Sequence, residues 1–147
     1  LGADVVLNQS EILLKPDVLA IPRVGFVNRH GSLLPAHRGR MAAFWAHAAE
    51  PPSYGVTIHL VDEGIDTGPI LARWEATGVN PAWPFPRVLR YLNRRAPALF
   101  WQALDDLEQG RPPTPQPDAQ GDPPHHFPSL VEARAYRVTL AARRRRC

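Results

Sequence analysis

Apolar positions in the first half of the chain fall into short runs broken by glycine and proline, and two periods take turns. Residues 3–7 hold a Val-Val-Leu run, apolar on successive positions, as in a strand covered on both faces. Pro16 opens P-D-V-L-A-I-P, where a proline at the first helical position and a second at Pro22 bracket one short helical turn. Residues 25–28 read as the next strand, so strand, connection and strand make a right-handed βαβ unit. Residues 40–50 lack Gly and Pro, and Met41, Phe44, Trp45 and Ala48 recur at helical spacing. This predicts a helix burying that face and stopped by Pro51 and Pro52. Residues 55–61 alternate, with Val56, Ile58 and Leu60 on one side and Thr57, His59 and Val61 on the other, and residues 70–74 supply a further strand.

From residue 86 to 110 the positions Leu89, Leu92, Leu99, Phe100, Ala103, Leu104 and Leu107 keep a helical period. Pro97 inside that run predicts a kink or two helices meeting, and Gly110 a C-terminal stop. Residues 111–128 hold seven prolines among polar residues and read as an extended surface segment. A last helix is expected over residues 129–142. The grammar is α/β: a mostly parallel sheet with helices on both faces. The expected organisation is a catalytic region over 1–110, the proline-rich segment over 111–128, and a helix with an Arg-rich tail over 129–147.

Composition narrows this little. A chain of 147 residues, 44% hydrophobic, is sized for one domain with its own core. No apolar run reaches the roughly twenty residues of a membrane helix, and residues 1–10 hold Asp4 and Asn8 with no basic region, unlike a signal peptide. The expectation is a soluble, cytoplasmic protein without membrane partners; a homo-oligomer is compatible with it. Cys147 is the single cysteine, so no disulfide framework and no Cys-rich metal site is expected. The formal charge of +3 is unevenly placed, because residues 133–147 contain six arginines and no acid. With those six set aside, the remaining 11 Lys and Arg face 14 Asp and Glu, a formal −3, so a nucleic-acid surface across the fold is not expected. Arg143 to Arg146 read as a frayed, solvated tail. The chain starts at Leu1, and Met41 is its single methionine.

Candidate chemistry concentrates in two stretches. Residues 27–39 read V-N-R-H-G-S-L-L-P-A-H-R-G, and residues 54–71 read Y-G-V-T-I-H-L-V-D-E-G-I-D-T-G-P-I-L. Acyl transfer to an amine without a metal or covalent nucleophile needs a donor for the developing oxyanion, a proton shuttle, and a carboxylate to orient the shuttle. Asn28 is an amide donor, His30 a shuttle near neutral pH, and Asp66 a carboxylate flanked by Gly64 and Gly68. Residues 28 and 30 are two apart on a strand, so both project to the same side. No zinc spacing is present among His30, His37, His59, Asp62 and Asp66, and no metal is expected. His59 reads as a satisfied half-buried histidine, and His37 as exposed in a polar turn.

Together the two stretches strongly resemble the folate-dependent formyltransferase family, over about residues 3–75. The resemblance implies a Rossmann-like domain, of which this chain would be the C-terminal portion. It implies an Asn-His-Asp triad at Asn28, His30 and Asp66, and 10-formyltetrahydrofolate as co-substrate, with no metal. The pterin would lie between Gln9, Ser10, Glu11, Ile12, Leu13 and Leu14 on one side and Val61, Asp62, Glu63, Gly64 and Ile65 on the other. Ser32, Leu33, Leu34 and Pro35 would shape the turn, with Arg38 and Gly39 as its R-G ending. Arg29, between Asn28 and His30, and Gly31, where proline is frequent, depart from the family pattern without removing a catalytic group. The T-I-H strand and the F-W-A of the helix are similar to the glycinamide and sugar branches, which sets a small-molecule amine as the expected acceptor. A hydrolase using the same triad, and a non-catalytic folate-binding fragment, remain open.

Overall fold

The computed structural model describes residues 2–10, 12–117 and 123–146. Among these the elements run β1 (Val5–Asn8), α1 (Pro16–Leu19), β2 (Gly25–His30), α2 (Ala42–Ala48), β3 (Gly55–Leu60), β4 (Ile70–Glu75), α3 (Phe85–Glu108) and α4 (Leu130–Arg146).

Four strands form one sheet in the order β1-β2-β3-β4. β1 and β2 pair in parallel around α1, from Val5 beside Gly25 to Asn8 beside Asn28. β2 with β3 and β3 with β4 are antiparallel. The sheet is thus mixed, which corrects the expectation of a mostly parallel one. Alternation of apolar and polar residues along β3 is the mark of a strand with two different faces, as antiparallel strands have, whereas parallel strands read as continuous apolar runs.

One face carries Val27, Val56, Ile58 and Ala72, against which α3 packs Val88, Leu92, Leu99 and Ala103. Their spacing of four, seven and four residues holds them on a single stripe of the helix. Val27, Ile58, Val88 and Leu92 are at most 1% exposed, and burying such side chains contributes about 1.5–3 kcal/mol each. The opposite face, with Thr57 and Arg73, is covered not by a helix but by a turn: Leu34 N donates to Thr57 Oγ1 (3.1 Å) and Arg73 donates to Leu34 O (3.1 Å). Helix packing on both faces is therefore not what this part of the sheet shows.

α3 runs unbroken through Pro97, where a junction of two helices was a possibility. Pro97 and Asn93, whose carbonyl loses its helical donor, both sit on the exposed side. α2 is shorter than expected and buries Ala42, Ala43, Phe44, Ala46 and His47; of the predicted stripe Met41, Phe44, Trp45 and Ala48, Phe44 alone is fully buried. Phe44 meets Trp45, Phe85 and Tyr136 edge-on at 5.3, 5.7 and 5.0 Å, so α2 is covered from several sides and not along one stripe.

α4 begins at a reciprocal cap: Ser129 N donates to Glu132 Oε2 (2.8 Å) and Glu132 N to Ser129 Oγ (3.3 Å). It continues through the arginines, which corrects the frayed-tail reading. Arg143 donates to His47 O (2.7 Å), Ala49 O (2.8 Å) and Glu50 Oε1 (2.7 Å), supplying the carbonyls at the C-terminal end of α2 with donors. Cys147 lies outside the described residues, and no helix among those described is long and apolar enough to cross a membrane.

Candidate active site

The antiparallel register of β2 and β3 sets Asn28 opposite His59 and His30 opposite Thr57, placing all four side chains on one face. Asp66 reaches the same place from the loop joining β3 to β4. Asp62 shapes that loop by accepting from Gly64 N (3.1 Å) and Thr67 Oγ1 (2.7 Å). At Gly68 any side chain is excluded, since a Cβ would lie 1.9 Å from Leu60 O. Asp66 itself is left-handed, at φ 54°.

Between these elements Asp66 sits with His30 Nδ1 3.4 Å from Oδ2 and His59 Nε2 3.5 Å from Oδ1, while Gly39 N donates to Oδ2 at 2.8 Å. His30 is 5% exposed and His59 2%. His30 Nε2 points to His37 O (2.9 Å), and a carbonyl only accepts, so that nitrogen carries a proton. His59 Nδ1 likewise donates to Leu60 O (2.8 Å), leaving its Nε2 to face Asp66 and, at 3.5 Å, Asn28 Nδ2. Asn28 Oδ1 accepts from Gln9 Nε2 at 3.4 Å, which leaves its amide N–H groups turned toward the site.

Burial pushes the His30 pKa below its ordinary value, against the opposing pull of Asp66 and of the His37 carbonyl. Burial pushes Asp66 upward, but the His59 hydrogen bond, the His30 charge and the Gly39 N–H outweigh it, and the carboxyl ends below its ordinary value. At neutral pH the pair is therefore a neutral imidazole beside a carboxylate. This is a base with an orienting anion, suited to taking a proton and then holding the resulting cation.

A cavity of about 610 Å³ opens over these groups, within the size range of small-molecule sites. Gln9, Ser10, Ile12, Leu13 and Leu14 line one side. Val61, Asp62, Gly64 and Ile65 line the other, with Asn28, His30, His59 and Asp66 between. Ile12 and Leu13 are 73% and 63% exposed, apolar side chains open to solvent and available to an apolar ring system. Glu63 is not part of the wall, and Glu11 lies outside the described residues.

Of the turn residues, Gly39 borders the cavity, whereas Ser32, Leu33, Leu34, Pro35 and Arg38 do not. Ser32 Oγ donates to Ala36 O (2.6 Å) and Thr57 Oγ1 to Ser32 O (2.7 Å), bonds that fix the turn on the sheet. His59, expected as a satisfied half-buried histidine, is fully buried and faces both Asn28 and Asp66, a place that the register of β2 and β3 gives it. His125, which also borders the cavity, comes from the proline-rich segment, where nothing in the sequence pointed to the site. Its ring stacks on Trp45 at 4.7 Å and on His37 at 5.4 Å.

Known proteins resemble this chain in sequence and fold. The formyl transferase family profile matches residues 2–81. A methionyl-tRNA formyltransferase of Deinococcus radiodurans is 40% identical over 132 residues, 89% of this chain and 40% of the relative. That of Synechocystis sp. is 39% identical over 109 residues, 74% of this chain and 33% of the relative. The chain thus spans well under half the length of these relatives. Among solved structures, the formyltransferase PseJ of Anoxybacillus kamchatkensis, in complex with UDP-4,6-dideoxy-4-formamido-L-AltNAc and tetrahydrofolate, superposes with a TM-score of 0.69 at 26% identity, over 84% of this chain and 63% of that one. Phosphoribosylglycinamide formyltransferase of Bacillus halodurans gives 0.64 at 33% identity, over 71% and 54%.

Proposed function

This chain belongs to the formyl transferase family, and from that premise we propose that it carries the site for transfer of a formyl group from 10-formyltetrahydrofolate to a primary amine. The observation that supports this best is the meeting of Asn28, His30 and Asp66 beneath one cavity. The cavity walls, apolar at Ile12, Leu13, Leu14, Val61 and Ile65 and lined with loop backbone, suit a flat heterocycle that offers hydrogen bonds at its rim.

The amine attacks the formyl carbon, forming a C–N bond, and the carbonyl oxygen takes up negative charge. Asn28 donates to that oxyanion. His30 accepts the amine proton and returns it to the leaving nitrogen as the tetrahedral species collapses, and Asp66 holds the imidazolium between these steps. Both His30 nitrogens face protein groups in the free site, so when substrate enters Nε2 leaves the His37 carbonyl and the ring proton passes to Nδ1, donating to Asp66 and freeing Nε2 to accept. The 3.4 Å approach to Asp66 is longer than a charge-assisted hydrogen bond and tightens as charge develops.

For the acceptor we propose the amino group of methionyl-tRNA, supported by 40% identity to a methionyl-tRNA enzyme over 89% of the chain. This departs from the small-molecule acceptor expected from the T-I-H and F-W-A segments. The small-molecule reading keeps one support, the superposition on the sugar-nucleotide enzyme. Rates on methionyl-tRNA, glycinamide ribonucleotide and an amino-sugar nucleotide, measured with the full-length protein, separate the two. Asn28→Ala, His30→Ala and Asp66→Ala should each lower kcat by about a hundredfold or more; turnover at the unsubstituted rate in any of them would sink the assignment. Formate release without an amine would indicate a hydrolase instead.

A further inference from the structure

The described residues of the proline-rich segment, 111–117 and 123–128, are bonded to the site at two places. Thr114 exchanges both backbone hydrogen bonds with Ile70, each 2.8 Å. Two residues on, Gln116 Nε2 donates to Asp66 O at 3.1 Å and to Gly68 O at 2.6 Å. Farther along, His125 N donates to Arg38 O (2.7 Å) and His125 O accepts from Arg40 N (2.9 Å), enclosing Gly39, whose own N–H reaches the Asp66 carboxylate.

Asp66 is where these contacts converge. Its backbone is left-handed, its carboxylate has to face two imidazoles, and the peptides on its C-terminal side must pass under Leu60 O at Gly68. Two carbonyls pointing at one side chain require a donor there, which fixes the orientation of the Gln116 amide. Its Oε1 is buried and has no hydrogen-bond partner among the described residues. The unpaired acceptor offsets part of what the two donated bonds contribute to stability, and what those bonds fix is the orientation of the peptides at Asp66 and Gly68. Among the described residues of the segment, Gln116 is the one whose side chain bonds the backbone of Asp66.

We propose that Gln116 is a positioning residue, whose amide clamps the carbonyls of Asp66 and Gly68 and thereby aims the Asp66 carboxylate at His30. The proposal rests on the reading of Asp66 as part of the formyl-transfer site, and its test has one arm that does not need turnover. Gln116→Met keeps the length and removes the donor; Gln116→Lys restores one. In the full-length protein, Gln116→Met is expected to lower kcat about tenfold to a hundredfold, with KM for the folate little changed, since a small displacement of a reacting group carries such a cost. NMR titration should show the His30 ring and the Asp66 carboxyl moving their midpoints in Gln116→Met and returning toward the original values in Gln116→Lys, which should also recover kcat.

Unmoved midpoints with unchanged kcat would overturn the proposal. So would a loss of kcat that tracks a fall in Tm and is not recovered by Gln116→Lys. If the unsubstituted protein transfers no formyl group while the midpoints still shift and recover, the clamp stands and the functional reading fails. Should Gln116→Met not fold, Gln116→Asn, one methylene short of both carbonyls, carries the same comparison.

Discussion

Asp66 holds a backbone conformation that most side chains avoid, and its carboxylate is where two imidazoles and a backbone N–H meet. Asn and Asp tolerate the left-handed region better than other non-glycine residues, while a larger side chain pays about 1–2 kcal/mol there. Asp66→Asn keeps an oxygen for Gly39 N and loses the charge. Asp66→Leu loses both and adds the backbone strain. Urea unfolding should therefore find Asp66→Leu less stable than Asp66→Asn by at least about 1–2 kcal/mol, with both defective in formyl transfer. Equal stabilities would mean that the left-handed backbone is not a constraint. The period-two spacing of Asn28 and His30 and the glycines around Asp66 made these three residues readable from the sequence. His59 was not, because its place opposite Asn28 depends on strand register, which spacing within one strand does not fix. Gln116 was not either: its partners are carbonyls fifty and forty-eight residues away.

At the level of elements, α2 depends on a residue ninety-odd positions away. The Arg143 side chain is only 10% exposed and donates to the His47 and Ala49 carbonyls and to Glu50. Removing a charged donor from such acceptors costs about 1.5–3 kcal/mol. Arg143→Met, which retains most of the apolar stem, should lower the urea midpoint accordingly, whereas Arg145→Met, at an exposed position, should leave it unchanged. Equal effects of the two substitutions would reduce the α2 contact to surface charge. Strands β3 and β4 and helix α3 were readable because period two or a helical stripe is written directly into Val56, Ile58 and Leu92. The end of α4 was not, since four consecutive arginines look solvated until a partner carbonyl is placed beside one of them. The direction of pairing was misread for a related reason: β1 and β2 share a true parallel pair, but the connection from β2 to β3 through α2 leads into an antiparallel strand.

Across the whole molecule, two of the three buried histidines, at separate places, have pKa values pushed down by burial. His30 lies in the site. His47 lies on the buried side of α2, with Nε2 donating to Trp83 O (3.0 Å) and Nδ1 accepting from Tyr54 Oη–H (2.9 Å). Burial lowers both pKa values below 6.5, with Arg143 pressing His47 further down. Burial also holds the Tyr54 hydroxyl protonated, pushed up to about 12, as its role as donor to His47 requires. Below pH 6.5 the unfolded chain binds protons at both histidines that the folded chain resists, so stability should be full above that value and fall as the pH drops through it. Asp66, whose folded value is depressed, adds stability that is present above pH 3.8 and lost below it as the carboxyl protonates. Tyr54 sets the opposite limit: stability should decline as the pH rises above 10 toward 12. Urea midpoints between pH 5 and 8 in the unsubstituted protein, His30→Gln and His47→Gln test this. Each substitution removes one titrating group, so each should flatten the acid limb by its own share even where it lowers overall stability. An acid limb of unchanged steepness in both variants would place the proton uptake elsewhere.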